Sequence, residues 1–388
     1  MSNLKIITVT AQDALIEACE RLAQGSFLCV DTEFHRESTY WPELCLIQAS
    51  CEGYEVIIDP LAENIDLTPF LELVADTGRV KVFHAARQDM EIFTKLMGTP
   101  PTPVFDTQIA AMALGIGDSI SYDNLVQRVL KKRLDKSSQF TDWKRRPLTD
   151  KQLNYALGDV THLRDLYINM MADLDRQNRA SWLIEEHAVL SDPALYDTDP
   201  GKAWQRLKLR KTHREYIAIF ASVAAWREDA AQRFNKPRRR ILKDDAIQEI
   251  ADQIPTDEAA FERLRAVPKG FVRSKFADGL IAAVTRATEN PSEWAPILPP
   301  KPNNSETPAG APEILKVLLK AVSDEAGVVP RLIANAADIE RIARGDNDPG
   351  IAALNGWRNE VFGEKARALL SGQLAISFEN GTVRLFKL

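Results

Sequence analysis

The chain has 388 residues and a formal net charge of −6, with 45% hydrophobic and 27% charged residues, a balance that excludes wholesale disorder and collagen-like or low-complexity architecture. Its length predicts two or three domains, with enough surface to bury at least one sizeable core. No apolar run reaches the roughly eighteen residues of a membrane span, and MSNLKIITVT at the N-terminus lacks a basic and then apolar leader, so no membrane partner and a cytoplasmic address are expected.

In chain order, Lys5–Val9 reads as a strand and Ala11–Ala23 as a helix, followed by strand-like runs at Phe27–Phe34, Leu44–Ala49 and Tyr54–Ile58. The short breaks between the last three favour antiparallel neighbours. Val80–His84, leading into helical spacing over Ala85–Met97, reads instead as a parallel βα unit. A mixed sheet flanked by helices is the expected fold class for this α/β region. Cys19, Cys29, Cys45 and Cys51 all fall here without a CxxC pair, so reduced, buried thiols are expected rather than a disulfide framework or a zinc site. Val104-Phe105-Asp106-Thr107 has the order strand, Asp, helix, which makes Asp106 a helix cap rather than a metal ligand.

Beyond about residue 107 the chain reads as helices, until a terminal strand pair at Leu374–Phe378 and Thr382–Phe386 around Glu379-Asn380-Gly381. Residues 289–312 hold seven prolines in 24 positions and are expected to form a linker, neither helix nor central strand. A weaker boundary lies near Asp199-Pro200-Gly201. The expected division is a domain over 1–195, a basic helical module over 203–288, the Pro-rich linker 289–312, and a second helical module over 313–388. Residues 200–285 carry 18 Lys/Arg against 11 Asp/Glu, whereas 312–388 carry ten of each, so most of the acidity lies in the first 200 residues. A basic module on an acidic body suits a polyanion partner.

The acids are placed for chemistry. Side chains alternate along a strand, so Asp31 and Glu33 share one face of Phe27–Phe34, about 6–7 Å apart along the backbone. Asp89 lies three, four and seven positions before Ile92, Phe93 and Leu96, on the face of its helix that packs inward, where a carboxylate needs a cation, a proton or donors. Thr149 and Gln152 form a capping box with Leu148 and Leu153 as the staple. From that start Leu153, Ala156, Leu157, Val160 and Tyr167 form the expected buried stripe, with Tyr155 and Asp159 one turn apart on its flank. Several acids converging on one point suit hydrolysis of a phosphodiester with divalent cations. Lys131-Lys132-Arg133, Lys136 and Lys144-Arg145-Arg146 supply positive charge just before this last helix, where a backbone phosphate would need it.

Asp31-Thr32-Glu33, His84-Ala85-Ala86-Arg87-Gln88-Asp89 and Tyr155-Ala156-Leu157-Gly158-Asp159-Val160 resemble, in order, the motifs of the ribonuclease D family. So do Tyr40-Trp41-Pro42-Glu43-Leu44-Cys45-Leu46-Ile47-Gln48 and the stretch from Leu134 to Leu148. This family belongs to the tyrosine subgroup of the DEDD 3′-to-5′ exonucleases. The resemblance implies an RNase H-like exonuclease domain followed by two small all-α HRDC modules, at about 203–283 and 313–388. It also implies two divalent metal ions, Mg2+ or Mn2+, with Asp31, Glu33 and Asp159 holding the one that activates water. Asp31 would bridge to the second, with Asp89 serving that ion directly or through water, and Tyr155 would orient the attacking water. His84 would wall the site or cap the end of its strand, and on their positive charge Lys136 and Arg146 are expected to meet the substrate.

The implied activity is that of an exoribonuclease releasing 5′-mononucleotides from RNA, with the 3′ ends of transfer-RNA precursors and other structured RNAs as substrates and no obligate protein partner. A DNA-directed exonuclease of the same superfamily is the nearest alternative, because no motif encodes contacts to the 2′-OH. A non-catalytic RNA-binding protein on a decayed nuclease is another, against which the intact acids argue. A helicase accessory module would lack any phosphate-binding loop.

Overall fold

The structure is a computed structural model that describes residues 6–135, 138, 141–298 and 307–388. Among these, β1 (Thr8–Val9), β2 (Phe27–His35), β3 (Glu43–Cys51), β4 (Tyr54–Ile58), β5 (Val80–Phe83) and β6 (Val104–Asp106) form one sheet in the order β1-β4-β3-β2-β5-β6. β3 and β4 are antiparallel, while β1 pairs with β4, β2 with β5 and β5 with β6 in parallel. The sheet is mixed, as the short and long connections predict. All four cysteines are free and buried.

The helices of this region are α1 (Gln12–Leu22), α2 (Thr68–Ala75), α3 (Arg87–Met97), α4 (Thr107–Ala113), α5 (Tyr122–Leu130), α6 (Asp150–Arg176) and α7 (Ile184–Leu190). α3 starts later than its pattern predicts, because Ala85 takes a φ of 55° and breaks the chain away from the strand before the helix begins. Lys81 in β5 is fully buried and donates to the carbonyls of Asp76, Arg79 and Thr102 at 2.6–2.8 Å. Burial lowers its pKa to about 8, and the three carbonyls keep the buried amine satisfied.

Long α6 begins where its capping box predicts: Thr149 Oγ1 accepts from the Gln152 amide, and Gln152 Oε1 accepts from the Thr149 amide. Its buried stripe differs from the expected one. Ala156, Val160, Leu163, Leu166, Met170 and Leu174 are buried, whereas Leu153, Leu157 and Tyr167 are half-buried beside it. The sheet and its neighbours meet the helix about one position round from the face that the first two leucines suggest. Ser50 of β3 donates to the Val160 carbonyl at 2.9 Å, and Thr161 donates to Glu55 of β4 at 2.9 Å. These bonds fasten α6 across the sheet at the level of Asp159.

Compactness does not follow chain order. One unit comprises Met1–Thr32, Leu46–Leu195 and Pro302–Leu388; the other comprises Glu33–Cys45 and Tyr196–Lys301, so the division falls inside β2. In the first, Leu315, Leu318 and Val322 of helix Ala311–Ala326 share one apolar core with Phe105 and with Leu163, Leu166 and Met170 of α6. Trp182 and Trp357 stack with centroids 4.2 Å apart, and the buried Arg358 pairs with Glu185 and Glu186. The hairpin Leu374–Glu379 and Thr382–Lys387 closes the chain.

The second unit is built on α8 (Arg214–Arg233), packed by Asp244–Gln253 and Ala277–Glu289 around Tyr216, Phe220, Ile247 and Leu280. Tyr40 belongs here: its hydroxyl donates to the buried Glu228, and Arg238 both pairs with Glu228 and covers the Tyr40 ring at 4.6 Å. One arginine of the Lys236–Arg240 run is thus committed to a carboxylate, while Arg239 and Arg240 are exposed. The expectation that residues 289–312 exclude helix needs correction. Pro291–Trp294 forms a helical turn, and Pro312 lies in the first turn of Ala311–Ala326. Proline at a first helical position removes only an amide that lacks a partner anyway.

Candidate active site

Asp31, Glu33 and Asp159 come together: one carboxylate oxygen from each lies within 4.8 Å of the others. Asp31 and Glu33 are delivered by the alternation of β2, and Asp159 by α6. Asp89, the fourth acid, is buried on the inward face of α3, and its carboxylate accepts from the Thr32 hydroxyl. It stands beside the cluster rather than in it. Tyr155 hydrogen-bonds the Asp159 carboxylate.

The electrostatics follow from burial. Desolvation first, and Asp159 second, push the Asp31 carboxyl well above its ordinary value. Desolvation and then Asp31 do the same to Asp89, against the Thr32 bond. Asp159 is pushed up to about 7 by burial, opposed by the Tyr155 bond. Carboxylates crowded and buried in this way are hard oxygen donors awaiting positive charge, so the residues present fit Mg2+ or Mn2+.

Two residues that the sequence analysis did not single out support the cluster. The Tyr122 hydroxyl donates to the Asp159 backbone carbonyl, which holds that turn of α6, and burial together with Asp159 pushes its phenol well up. Thr32 orients Asp89. Thr32 alternates to the opposite side of β2 from the two acids, and Tyr122 opens α5, so neither stands in an acidic pattern that would have marked it.

His84 bonds Thr107 Oγ1 at 2.9 Å and meets Tyr122 edge-on at 5.3 Å. Burial lowers its pKa. Asp106 caps as expected and does more: it accepts from the amides of Gln108, Ala85 and Ala86 at 2.7–3.0 Å, tying the segment before α3 to the start of α4.

Lys136 lies outside the described residues. Arg146 binds Asp59 through two bonds of 2.5 and 2.6 Å and donates to the Trp143 carbonyl at 2.7 Å. Trp143 in turn packs against Tyr155, ring centroids 6.1 Å apart. With Asp59 nearly buried, Arg146→Ala is expected to lower the thermal midpoint and leave the salt dependence of KM for RNA unchanged. A log–log salt slope smaller by about one would instead place the guanidinium on a phosphate.

A family model described as a 3′-5′ exonuclease matches residues 6–175, and an HRDC domain model matches residues 217–284. A ribonuclease D from Nitrobacter hamburgensis is 48% identical over 98% of this chain and 98% of its own length. One from Bartonella henselae is 45% identical over 98% of this chain and 93% of its own. The crystal structure of Escherichia coli RNase D superposes with a TM-score of 0.81 at 26% identity, covering 95% of this chain and 99% of that one. An RNase H-like mixed α/β domain, an HRDC domain and a converging set of acids define a metal-dependent 3′-5′ exonuclease. Identity of this order along nearly the whole length narrows the class further. The chain belongs to the ribonuclease D family and is an exoribonuclease. No helix among the described residues is long and apolar enough to cross a membrane.

Proposed function

We propose that the enzyme trims structured RNAs, including transfer-RNA precursors, from the 3′ end with two divalent ions, Mg2+ or Mn2+, and releases 5′-mononucleotides. The observation that carries this is the meeting of one carboxylate oxygen each from Asp31, Glu33 and Asp159 within 4.8 Å of one another. RNA is the substrate named by the ribonuclease D relatives, and structured RNA by the Escherichia coli protein. When bound, the ions supply a nucleophilic water at neutral pH and charge stabilisation at the leaving oxygen.

Asp31, Glu33 and Asp159 would hold one ion, and Asp31 with Asp89 would serve the second. Tyr155, fixed between Asp159 and Trp143, orients the attacking water. Its phenol acts there by hydrogen bonding. The segment from Lys131 to Arg133 supplies positive charge to the incoming backbone. The residues from 313 onward form a second HRDC-like module, charge-neutral and mainly architectural.

A single-turnover assay on a 3′-extended transfer RNA tests this. Shortening one nucleotide at a time, 5′-mononucleotide products, loss in chelator and recovery on adding Mn2+ are expected. Hydrolysis that survives chelator, or internal cleavage, would overturn it. A DNA strand of the same sequence, run in parallel, measures the preference for ribose.

A further inference from the structure

Beside the acid cluster, on the α6 side, lies a hollow of about 600 Å³. Its floor is one face of α6, where Lys151, Tyr155, Gly158 and His162 recur at spacings of four, three and four residues. Arg133 faces them from the preceding loop, and Asp159 stands at its edge. Asp31 and Glu33 are absent from its lining, so the hollow extends away from β2.

Three features mark it as a built site. Gly158 sits inside a helix, where glycine is less favourable than alanine, yet a Cβ there would meet nothing within 4 Å. Packing does not require the glycine; its absent side chain leaves a flat patch of backbone open to the hollow. His162 lines the wall with a buried Nδ1 that has no hydrogen-bond partner among the described residues. Burial and Lys132 lower its pKa, and a neutral imidazole offers one donor and one acceptor. Arg133 and Lys151 are exposed cations with no carboxylate partner among the described residues.

Arg133 also lines a second hollow of about 570 Å³, together with Asn124, Gln127, Arg128 and Lys131. The two hollows therefore meet at Arg133, and the second adds Arg128 and Lys131 to its cationic lining. A single departing nucleotide needs no such continuation, whereas the body of the RNA, with a phosphate at every step, does.

We infer that this hollow is the subsite for the first nucleoside upstream of the scissile phosphate: its base lies on the backbone at Gly158 with an edge against His162, and the following phosphates run past Lys151 and Arg133. This rests on the 3′-5′ exoribonuclease assignment and adds to it where the leaving side of the substrate binds. Selection at this position would act through stacking and one polar edge, which tolerates every base.

The test compares RNA with the p-nitrophenyl ester of uridine 5′-monophosphate, which has the same scissile phosphate and no upstream nucleoside. Gly158→Leu, which fills the floor, and His162→Ala, which removes the polar edge and leaves the backbone at Gly158 open, are each expected to lower kcat/KM on RNA about tenfold more than on the ester. An RNA abasic at the penultimate position should lose a similar factor with the wild-type enzyme and little more with Gly158→Leu. Equal losses on RNA and ester, or no loss on either, would overturn the assignment of the subsite. A wild-type protein inactive on both substrates in Mn2+ would overturn the nuclease itself, so the two failures are distinct.

Discussion

Asp31→Ala and Asp159→Ala are each expected to cut kcat/KM on RNA by at least about a thousandfold, because in the proposed function each would remove a ligand from the group that must carry the charge of the displacement. The two positions come from different elements and meet within 4.8 Å, so the double variant should lose little beyond either single one. The same changes should leave the fold intact. Asp31→Asn is expected to raise the thermal midpoint in chelator, because it relieves repulsion against Asp159 and Asp89 and the cost of a buried charge. Unfolding scans with and without chelator, set beside the kinetics, check both halves. If either alanine variant hydrolysed RNA at the wild-type rate, a non-catalytic RNA-binding protein, or a contaminating nuclease, would be the better account.

The second large effect is the exchange of protons for metal. A carboxyl whose value is higher in the folded than in the unfolded state binds more protons when folded. It therefore stabilises the native protein increasingly as pH falls through that window, and the gain is lost as pH rises. For Asp159 the window runs from an unfolded value of about 4 up to about 7, and Asp31 and Asp89 shift in the same direction. In chelator the thermal midpoint should thus climb between pH 8 and pH 5.5. Excess Mg2+ or Mn2+ should raise the midpoint at pH 8, where Asp159 is mostly ionised, and have little effect at pH 5.5, where protons compete for the same oxygens. A midpoint indifferent to metal at pH 8 would contradict the site.

How much of this was legible in the sequence varies by residue. Alternation alone puts Asp31 and Glu33 on one side of β2, the capping box sets the start of α6 and hence the turn bearing Tyr155 and Asp159, and helical spacing points Asp89 inward; all three are local patterns. The supports are not local. Thr32 reaches Asp89 across 57 positions, and the Tyr122 hydroxyl reaches the Asp159 carbonyl across 37, with no periodicity to announce either. Arg146 illustrates the limit most clearly: in sequence it stands in a basic run before the catalytic helix, which suggests a phosphate contact, while its carboxylate partner Asp59 lies 87 positions away. The phase of the α6 stripe likewise depends on which neighbours cover the helix.

The shared core of α6 and Ala311–Ala326 bears on how the enzyme can be dissected. A chain ended before Ala311 would leave Leu163, Leu166 and Met170 facing water and Trp182 without its stacked neighbour. Such a truncation is expected to yield aggregates rather than a smaller nuclease. On that expectation, any contribution the tail makes to RNA is to be probed by substitutions on its outer surface and not by its removal.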